Sequence, residues 1–541
     1  MDPTASLLAY KEALASERKP WEPLFQEITD YMQPKRASWT TNLVPGDNKY
    51  DYLHDYTAPW ALDQFANGLH SMLTSPLSRW FTLQFRREDA IFAQDMQEWL
   101  SLATEILYDQ FNSALSSFHP SIQEVYTDLG AVGYGVLYSE WADDEKSVQF
   151  QARFPGECYL VEDAYGRVKG VIRCYKVDIS QFVEMFGVEK LPEGDKQALA
   201  NGKPPAGKKY EIVHAVLPRD HYAMKKFKVP RTFPYGSVRV CKDCGPEPLT
   251  TGGYSTFPYH VARWARRTGE VYSNSPGMMA LPSARRVNAM QVDLTKIVNR
   301  WADPPMQAPD DEFLSPFDLS PGAINYYRPG SGDRIETITG QMGDISPATV
   351  LVQNAQQEIV RAFFVDAFMV TGDSNGQNVK ATFVNQRRDE RFRQLAAALS
   401  RVERELLGSI VDRTYQLCLE KGLIPEPPPV PGGIRIEYTS PITRAQRSEV
   451  LDGLYQQIEM ASLAAQFDPS VMGSFNWDRI MSDTARDVWA LPGQWYRGEE
   501  EMQAIRQQQA EAQQAQALQQ ESAAVRNLAG AVKDVGQANL I

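Results

Sequence analysis

Apolar residues in the first stretch of the chain return every three or four positions. Leu7, Leu8, Leu14, Trp21, Leu24, Phe25, Ile28 and Tyr31 carry this rhythm, which predicts helix. Pro20, Pro23 and Pro34 divide the stretch into short helices and end it. A second helix is expected to open at Thr57-Ala58-Pro59, where Thr57 can cap and Pro59 suits the first turn. Trp60, Leu62, Phe65, Leu69, Met72 and Leu73 carry it on, and it stops before Pro76. A third helix, Gln94 to Leu115, lines up Trp99, Leu102, Ile106, Leu107 and Phe111 on one side. These faces read as core.

From Val132 to Trp264 the period changes. VGYGVLYSEW, SVQFQARF, CYLVED, VKGVIRCYKV and YEIVHAVLP are short runs rich in Val, Ile, Tyr and Phe. Gly, Pro and Asp punctuate them, the pattern of antiparallel strands. One helical insert, Ile179 to Phe186, interrupts them, and Leu191 to Lys209 reads as an exposed loop.

Two long helices follow. Met278 to Trp301 spans about 24 residues, or ~36 Å of helix. Ala348 to Met369 is similar in length and opens after Ser346-Pro347. Between them lies a segment rich in Pro, Gly and Asp with strand-like pieces GAINYY and RIETIT. Two long helices bracketing a small β-like knob suit a stalk with a contact module at its tip. Next come a polar loop, Thr371 to Asn378, and a helix over Val379 to Lys421. PEPPPVPGG, Pro425 to Gly433, is a stiff break. IRIEYTSP forms a strand, and Ile442 to Ala490 is helical. The tail from Gly498 is Gln- and Ala-rich, a helix former with too few large apolar residues to stand alone in water.

Composition narrows the classes. At 541 residues the chain has room for about three or four modules. The net charge of −13 excludes a protein that grips nucleic acid over its whole surface. The start lacks an apolar signal core, and no apolar run reaches the length of a membrane span. Five cysteines are too few for a disulfide scaffold and fit a reducing compartment.

Catalytic motifs find little support. No P-loop or H-E-x-x-H occurs. Gly130, Gly133 and Gly135 precede a strand-like run, where a nucleotide loop would precede a helix. His54, His70, His119, His214, His221 and His260 lack ligand spacing and read as surface or core residues. Cys241 and Cys244 have zinc-knuckle spacing without a second cysteine pair. His221 or His260 could complete a zinc site, but a plain turn with free thiols is favoured. Asp143-Asp144-Glu145 and Asp310-Asp311-Glu312 read as solvated turns. Arg387, Arg388, Arg391 and Arg393, interleaved with Asp389 and Glu390, read as an ion-paired helix face. The sequence therefore assigns no catalytic residue, cofactor or metal, and points to a structural role.

Two longer segments carry a resemblance. Asp55 to Leu83 (DYTAPWALDQFANGLHSMLTSPLSRWFTL) and Val261 to Gln291 (VARWARRTGEVYSNSPGMMALPSARRVNAMQ) resemble the portal proteins, or head-to-tail connectors, of short-tailed, T7-like bacteriophages. The second segment has the family's aromatic strand, its G-E-x-Y run and its A-L-x-x-x-x-x-x-N. Ser273-Asn274 stands where the family often has Gly-Arg.

The resemblance implies an α+β, mainly helical portal fold assembled as a ring, with a wing over residues 1–275. A first stem helix at 276–302, a clip at 303–346 and a second stem helix at 347–370 would follow. A tunnel loop at 371–378 and a long wing helix at 379–424 come next. A linker and crown at 425–495 and a C-terminal helical barrel at 496–541 complete the expectation. Rings of this family are twelve-fold around a channel, and a ring supplies the neighbours that the Gln/Ala-rich tail lacks. Twelve copies would carry a formal charge of about −156, which suits passage of DNA over its retention.

By the same resemblance, the protein sits at one capsid vertex of the virion, after assembly in the host bacterial cytoplasm. Double-stranded DNA is packaged and ejected through it. Expected partners are scaffold and major capsid protein, the terminase large subunit, and tail adaptor and tail tube proteins; no membrane is involved. Asn375, Asn378 and Lys380 would touch DNA from the tunnel loop. Asp310, Asp311, Glu312, Tyr326, Tyr327 and Arg328 would contact partners from the clip. The alternatives are a metal-dependent nuclease and a non-ring tail or internal virion protein.

Overall fold

The computed structural model describes residues 3–36, 39–40, 46, 50–51, 53–85, 94–201, 207–302, 306–307, 336–337, 345–368, 395–427, 434–438, 441–465, 469–477 and isolated positions between 480 and 514. The chain is α+β and forms two compact units. Residues 1–74 and 113–413 make the first, and residues 75–112 and 414–541 make the second.

The first unit opens with α1 (Pro3–Arg18), α2 (Glu22–Met32) and α3 (Thr57–Leu73). Thr57 is not the cap of α3, as the sequence suggested. It is already helical, and the preceding Tyr56 makes no side-chain cap bond. The Asp55 carboxylate accepts from the Thr57 amide instead, at 2.9 Å. The second unit contributes β1 (Phe81–Phe85) and α4 (Gln94–Asn112), and the first resumes with α5 (Phe118–Val132).

Two antiparallel sheets follow. β2 (Tyr134–Ala142) pairs with β3 (Ser147–Arg153). β4 (Cys158–Glu162), β5 (Val168–Val177), β6 (Tyr210–Pro218), β7 (Tyr235–Cys241) and β8 (Thr250–Tyr254) form a meander in chain order. β9 (Tyr259–Arg263) returns to the other edge of β2, giving the order β3-β2-β9. Leu7 of α1 packs into the meander core with Ile172, Val213 and Val238. Buried Arg18 clamps the same helix to the sheet: its Nη1 donates to the Cys158 carbonyl at 3.0 Å, and its guanidinium sits 3.9 Å from the Tyr159 ring centre.

α6 (Ile179–Phe186) forms where the sequence places it, behind a capping box of Asp178 and Gln181. The expected loop from Leu191 to Lys209 contains a further helix, α7 (Glu193–Ala200). Pro192 precedes it, Glu193 and Asp195 lie in its first turn, and Leu191 and Leu199 join the core around Phe182 and Tyr210. That burial outweighs the Pro, Gly and Lys content that suggested loop.

The Cys241–Cys244 pair is a disulfide and neither a zinc site nor free thiols. Spacing alone could not separate these outcomes, because a three-residue step brings two Sγ atoms together for all of them. Cys158 and Cys418 are free and buried.

Between the helices expected from Thr57 and from Gln94 lies a strand that the sequence pattern did not mark. β1 pairs antiparallel with Ile434–Tyr438, the strand expected from IRIEYTSP. Its partner lies far along the chain, so no local pattern marks it. In the same unit α4 stacks Tyr108 on Phe81, ring centres 4.6 Å apart. The Tyr108 hydroxyl accepts from the Trp80 and Phe81 amides at 2.7 and 2.8 Å. Helix Pro441–Ala464 lies within the expected helical region.

β9 is an edge strand, and its side chains fasten a helix that runs from residue 395 through a π-helical turn, Glu403–Leu407. Arg263, 1% exposed, pairs with Glu162 and with Glu405 of that turn, at 2.9 Å for the latter. A π turn shifts side-chain direction, and here it aims Glu405 at a buried cation. His260 Nδ1 is hydrogen-bonded to Ser409 of the same helix at 2.8 Å. Its Nε2 is hydrogen-bonded to Ser139 of β2, also at 2.8 Å.

Burial holds the His260 pKa down at about 3, with Arg413 adding to the effect. Burial likewise holds buried His214 well below its usual value. Below about pH 6.5 the unfolded chain binds protons that the folded chain does not, so stability falls as pH drops. Each histidine contributes up to about 1.4 kcal/mol per pH unit in that window. Thermal unfolding is expected to shift downward between pH 7.5 and 5, and His260→Gln is expected to flatten the slope. An unchanged slope in that variant would contradict the assignment.

Candidate functional site: the paired long helices and their anchor

The longest described helix, α8 (Pro276–Ala302), is the helix expected at Met278 to Trp301. α9 (Ser346–Ala362) packs beside it. Glu358, late in α9, meets Ser283 at 2.6 Å and pairs with Arg286, both early in α8. The two helices therefore run antiparallel. Beyond them, β10 (Met306–Gln307) pairs antiparallel with β11 (Glu336–Thr337), inside the expected RIETIT piece.

α9 ends earlier than the sequence suggests. Phe364 adopts a left-handed conformation, φ +55°, and a short helix α10 (Val365–Phe368) follows. Continuous helix would turn Phe363 and Phe368 to different sides. The break lets both reach Phe65 of α3, with ring centres 6.2 and 6.0 Å away.

The start of α8 is set by one hydroxyl. Ser275 Oγ accepts from the Met278 amide at 2.9 Å, capping the new helix, with Pro276 in its first turn. The same hydroxyl donates to the Ala131 carbonyl at 2.6 Å, at the end of α5. Two helix termini, each with unsatisfied backbone groups, share one side chain. Ser273 bonds to the Gly133 carbonyl beside it. Gly133 has φ +89°, and a Cβ there would strike the Ser273 carbonyl. A Cβ at Gly277 would lie 2.6 Å from the Ala131 carbonyl. Only glycine permits this approach at Gly133, since it adds positive φ to lack of space.

One helical stretch further on, Asn288 anchors α8 again. Its Oδ1 accepts from the backbone amides of His54 and Asp55, at 2.8 and 3.2 Å, and its Nδ2 donates to the Ala284 carbonyl at 2.9 Å. Gln356 of α9 donates to Asp55 at 2.7 Å. Residues 54–55 thus tie both long helices to the entrance of α3. Asn288 is the Asn that closes A-L-x-x-x-x-x-x-N. The sequence marks the residue, and the structure shows why it must accept and donate at once.

Past Asn288 the pair is exposed. Val298 and Leu351 are 51% and 56% exposed, and Ile297, Trp301 and Val350 are also open. Within the described residues this part of the pair leaves apolar side chains uncovered.

The expected contact residues Asp310, Asp311, Glu312, Tyr326, Tyr327 and Arg328 lie outside the described residues, as do Asn375, Asn378 and Lys380. So do the Arg387–Arg393 cluster, the GAINYY piece, and nearly all of the Gln/Ala-rich tail. Asp143, Asp144 and Glu145 occupy the β2–β3 turn, as expected. Gly130, Gly133 and Gly135 lie at the α5–β2 junction and serve close packing. Among the described residues no helix is long and apolar enough to cross a membrane.

A profile of the bacteriophage head to tail connecting protein family matches residues 4–491. The chain belongs to that family of phage connector proteins. It is 27% identical over 525 residues to the portal protein of Salmonella phage epsilon15, covering 94% of this chain and 91% of that one. It is 25% identical over 519 residues to the probable portal protein of Bordetella phage BPP-1, with the same coverage. Among solved structures, the neck of an empty gene transfer agent particle matches 79% of this chain and 92% of its own, at 12% identity and TM-score 0.39.

Ser275→Ala removes a cap and the bond to Ala131 together, with an expected loss of about 1–2 kcal/mol. Asn288→Ala leaves two amides without their acceptor, and about 2–4 kcal/mol is expected to be lost. Chemical denaturation checks both. Losses below about 0.5 kcal/mol would show that other contacts anchor α8.

Proposed function

We propose that the chain is a portal subunit that assembles as a ring at one capsid vertex, around a channel for double-stranded DNA. The observation that carries this reading is the antiparallel α8–α9 pair, anchored at one end by Ser275, Asn288 and Asp55 and followed by the β10–β11 pair. In this reading α8 and α9 are the stem, and residues 303–346 are the clip. The sheets with their flanking helices are the wing, and residues 425–495 are the linker and crown. The similarity to two phage portal proteins over 94% of the chain supports it.

Exposed Ile297, Val298, Trp301, Val350 and Leu351 supply the apolar surface that neighbouring copies cover. A closed ring satisfies every such surface with the same contact. The clip residues Asp310, Asp311, Glu312, Tyr326, Tyr327 and Arg328 dock the terminase large subunit and then the tail proteins. Asn375, Asn378 and Lys380 in residues 371–378 and just after approach DNA. The role is structural, and the energy for packaging comes from the motor that docks.

Light scattering with negative-stain imaging tests the assembly. Rings with a central hole and a mass near twelve times 61.0 kDa are expected. A monomer that persists with scaffold protein added would overturn the reading. Ile297→Asp combined with Val298→Asp is expected to break rings into smaller species while far-ultraviolet circular dichroism stays unchanged. Deleting residues 371–378 is expected to change DNA packaging or retention at unchanged ring mass.

A further inference from the structure

A cavity of about 500 Å³ is lined by β2, β3, β5, β6, β7, β9 and α6. It has no part in the assembly reading. Its lining is cationic in an unusual way. In the register of the meander, Arg173 of β5 stands opposite His214 of β6, and His214 opposite Arg239 of β7. The three side chains therefore share one face. With strands ~4.8 Å apart, the two arginine backbones are about 10 Å apart, within reach of a common point above His214. Arg153 of β3 lines the same cavity.

These cations are matched unequally. Arg173 has a partner in Glu157, whose carboxylate takes its Nε and Nη2 at 2.9 Å. Arg153 and Arg239 have no ion pair among the described residues, and the Nε of each is buried without a hydrogen-bond partner. Arg153 rests 5.1 Å from the Tyr138 ring centre. Burial, with Arg173 nearby, lowers its pKa from the usual arginine value. His214 bonds Tyr259 at 2.9 Å and Ser237 at 3.0 Å and stays neutral, so it adds no charge. Glu140 also lines the cavity but is held by the Tyr138 and Tyr254 hydroxyls, at 2.8 and 3.5 Å. Glu184 and Lys176 complete the charged lining.

Arg153 and Arg239 are half-buried, and a buried guanidinium nitrogen without its hydrogen bond is costly, while arginine donors match oxyanions in pairs. We propose that this cavity binds a free phosphate-class dianion, held by Arg153 and Arg239, with Arg173 adding charge from its Glu157-bound position. The volume leaves room for a small phosphate monoester beside the tyrosine rings.

The test uses the full chain in a phosphate-free buffer at constant ionic strength. Equilibrium dialysis with labelled inorganic phosphate is expected to show saturable binding at about one per chain, and glycerol phosphate is expected to compete. Arg153→Gln and Arg239→Gln are each expected to weaken binding by about tenfold or more. Arg239→Lys should retain part of it. Absence of saturable binding by the wild-type chain overturns the proposal, whatever the folding of the variants. Unchanged affinity in the folded glutamine variants overturns it equally. Ring mass is untouched by either result, so the assembly reading stands or falls separately.

Discussion

The first unit depends on the close passage of Ser273–Gly277 across the end of α5. A long helix can start only where its first amides find acceptors, and Ser275 supplies one. The same hydroxyl is committed to the Ala131 carbonyl, so the cap cannot move without opening the end of α5. Gly133 makes the approach possible through its positive φ and its lack of a side chain. From this junction the direction of α8 follows. Asn288 then pins the helix a second time, on residues that also bind α9 through Asp55 and Gln356.

That double anchor explains why the exposed part of the pair can remain open. The first half of α8 buries Ala280, Leu281, Ala284 and Val287. The second half lacks such burial and presents Ile297, Val298 and Trp301. A helix end of this kind needs either neighbours or support from its root. Support at the root leaves the far end free to carry an interface, as the proposed ring assembly requires.

Arginine is treated in two different ways in the same unit. Arg263 is surrounded by Glu162, Glu405 and the Gly166 carbonyl, and the π turn at Glu403–Leu407 exists where Glu405 must reach it. This cluster is closed and structural. Arg153 and Arg239 are half-buried, and each keeps a buried Nε without a hydrogen-bond partner. What sets the second group apart is that both side chains line one cavity and that neither has an ion pair among the described residues.

Much of the architecture was legible from residue patterns. The helices at Thr57, Gln94, Ile179 and Pro276 and the five richest strands all appear, because periodicity and Gly/Pro punctuation are local properties. The resemblance placed the connector family on extended similarity, not on a catalytic signature. Other features were decided only by contacts between distant segments. β1 exists because Ile434–Tyr438 lies beside it, α7 because Leu191 and Leu199 find the Phe182 core, and the break at Phe364 because Phe65 draws two rings to one side. The Arg173–His214–Arg239 row belongs to the same class, whereas the Cys241–Cys244 disulfide is local but undecided by sequence, because three-residue spacing fits a thiol pair, a metal site and a disulfide alike. The sequence determined the elements, their order and the family through short-range pattern. Only the tertiary structure decided which polar groups met a partner, since a pairing energy depends on where the other end of the chain returns.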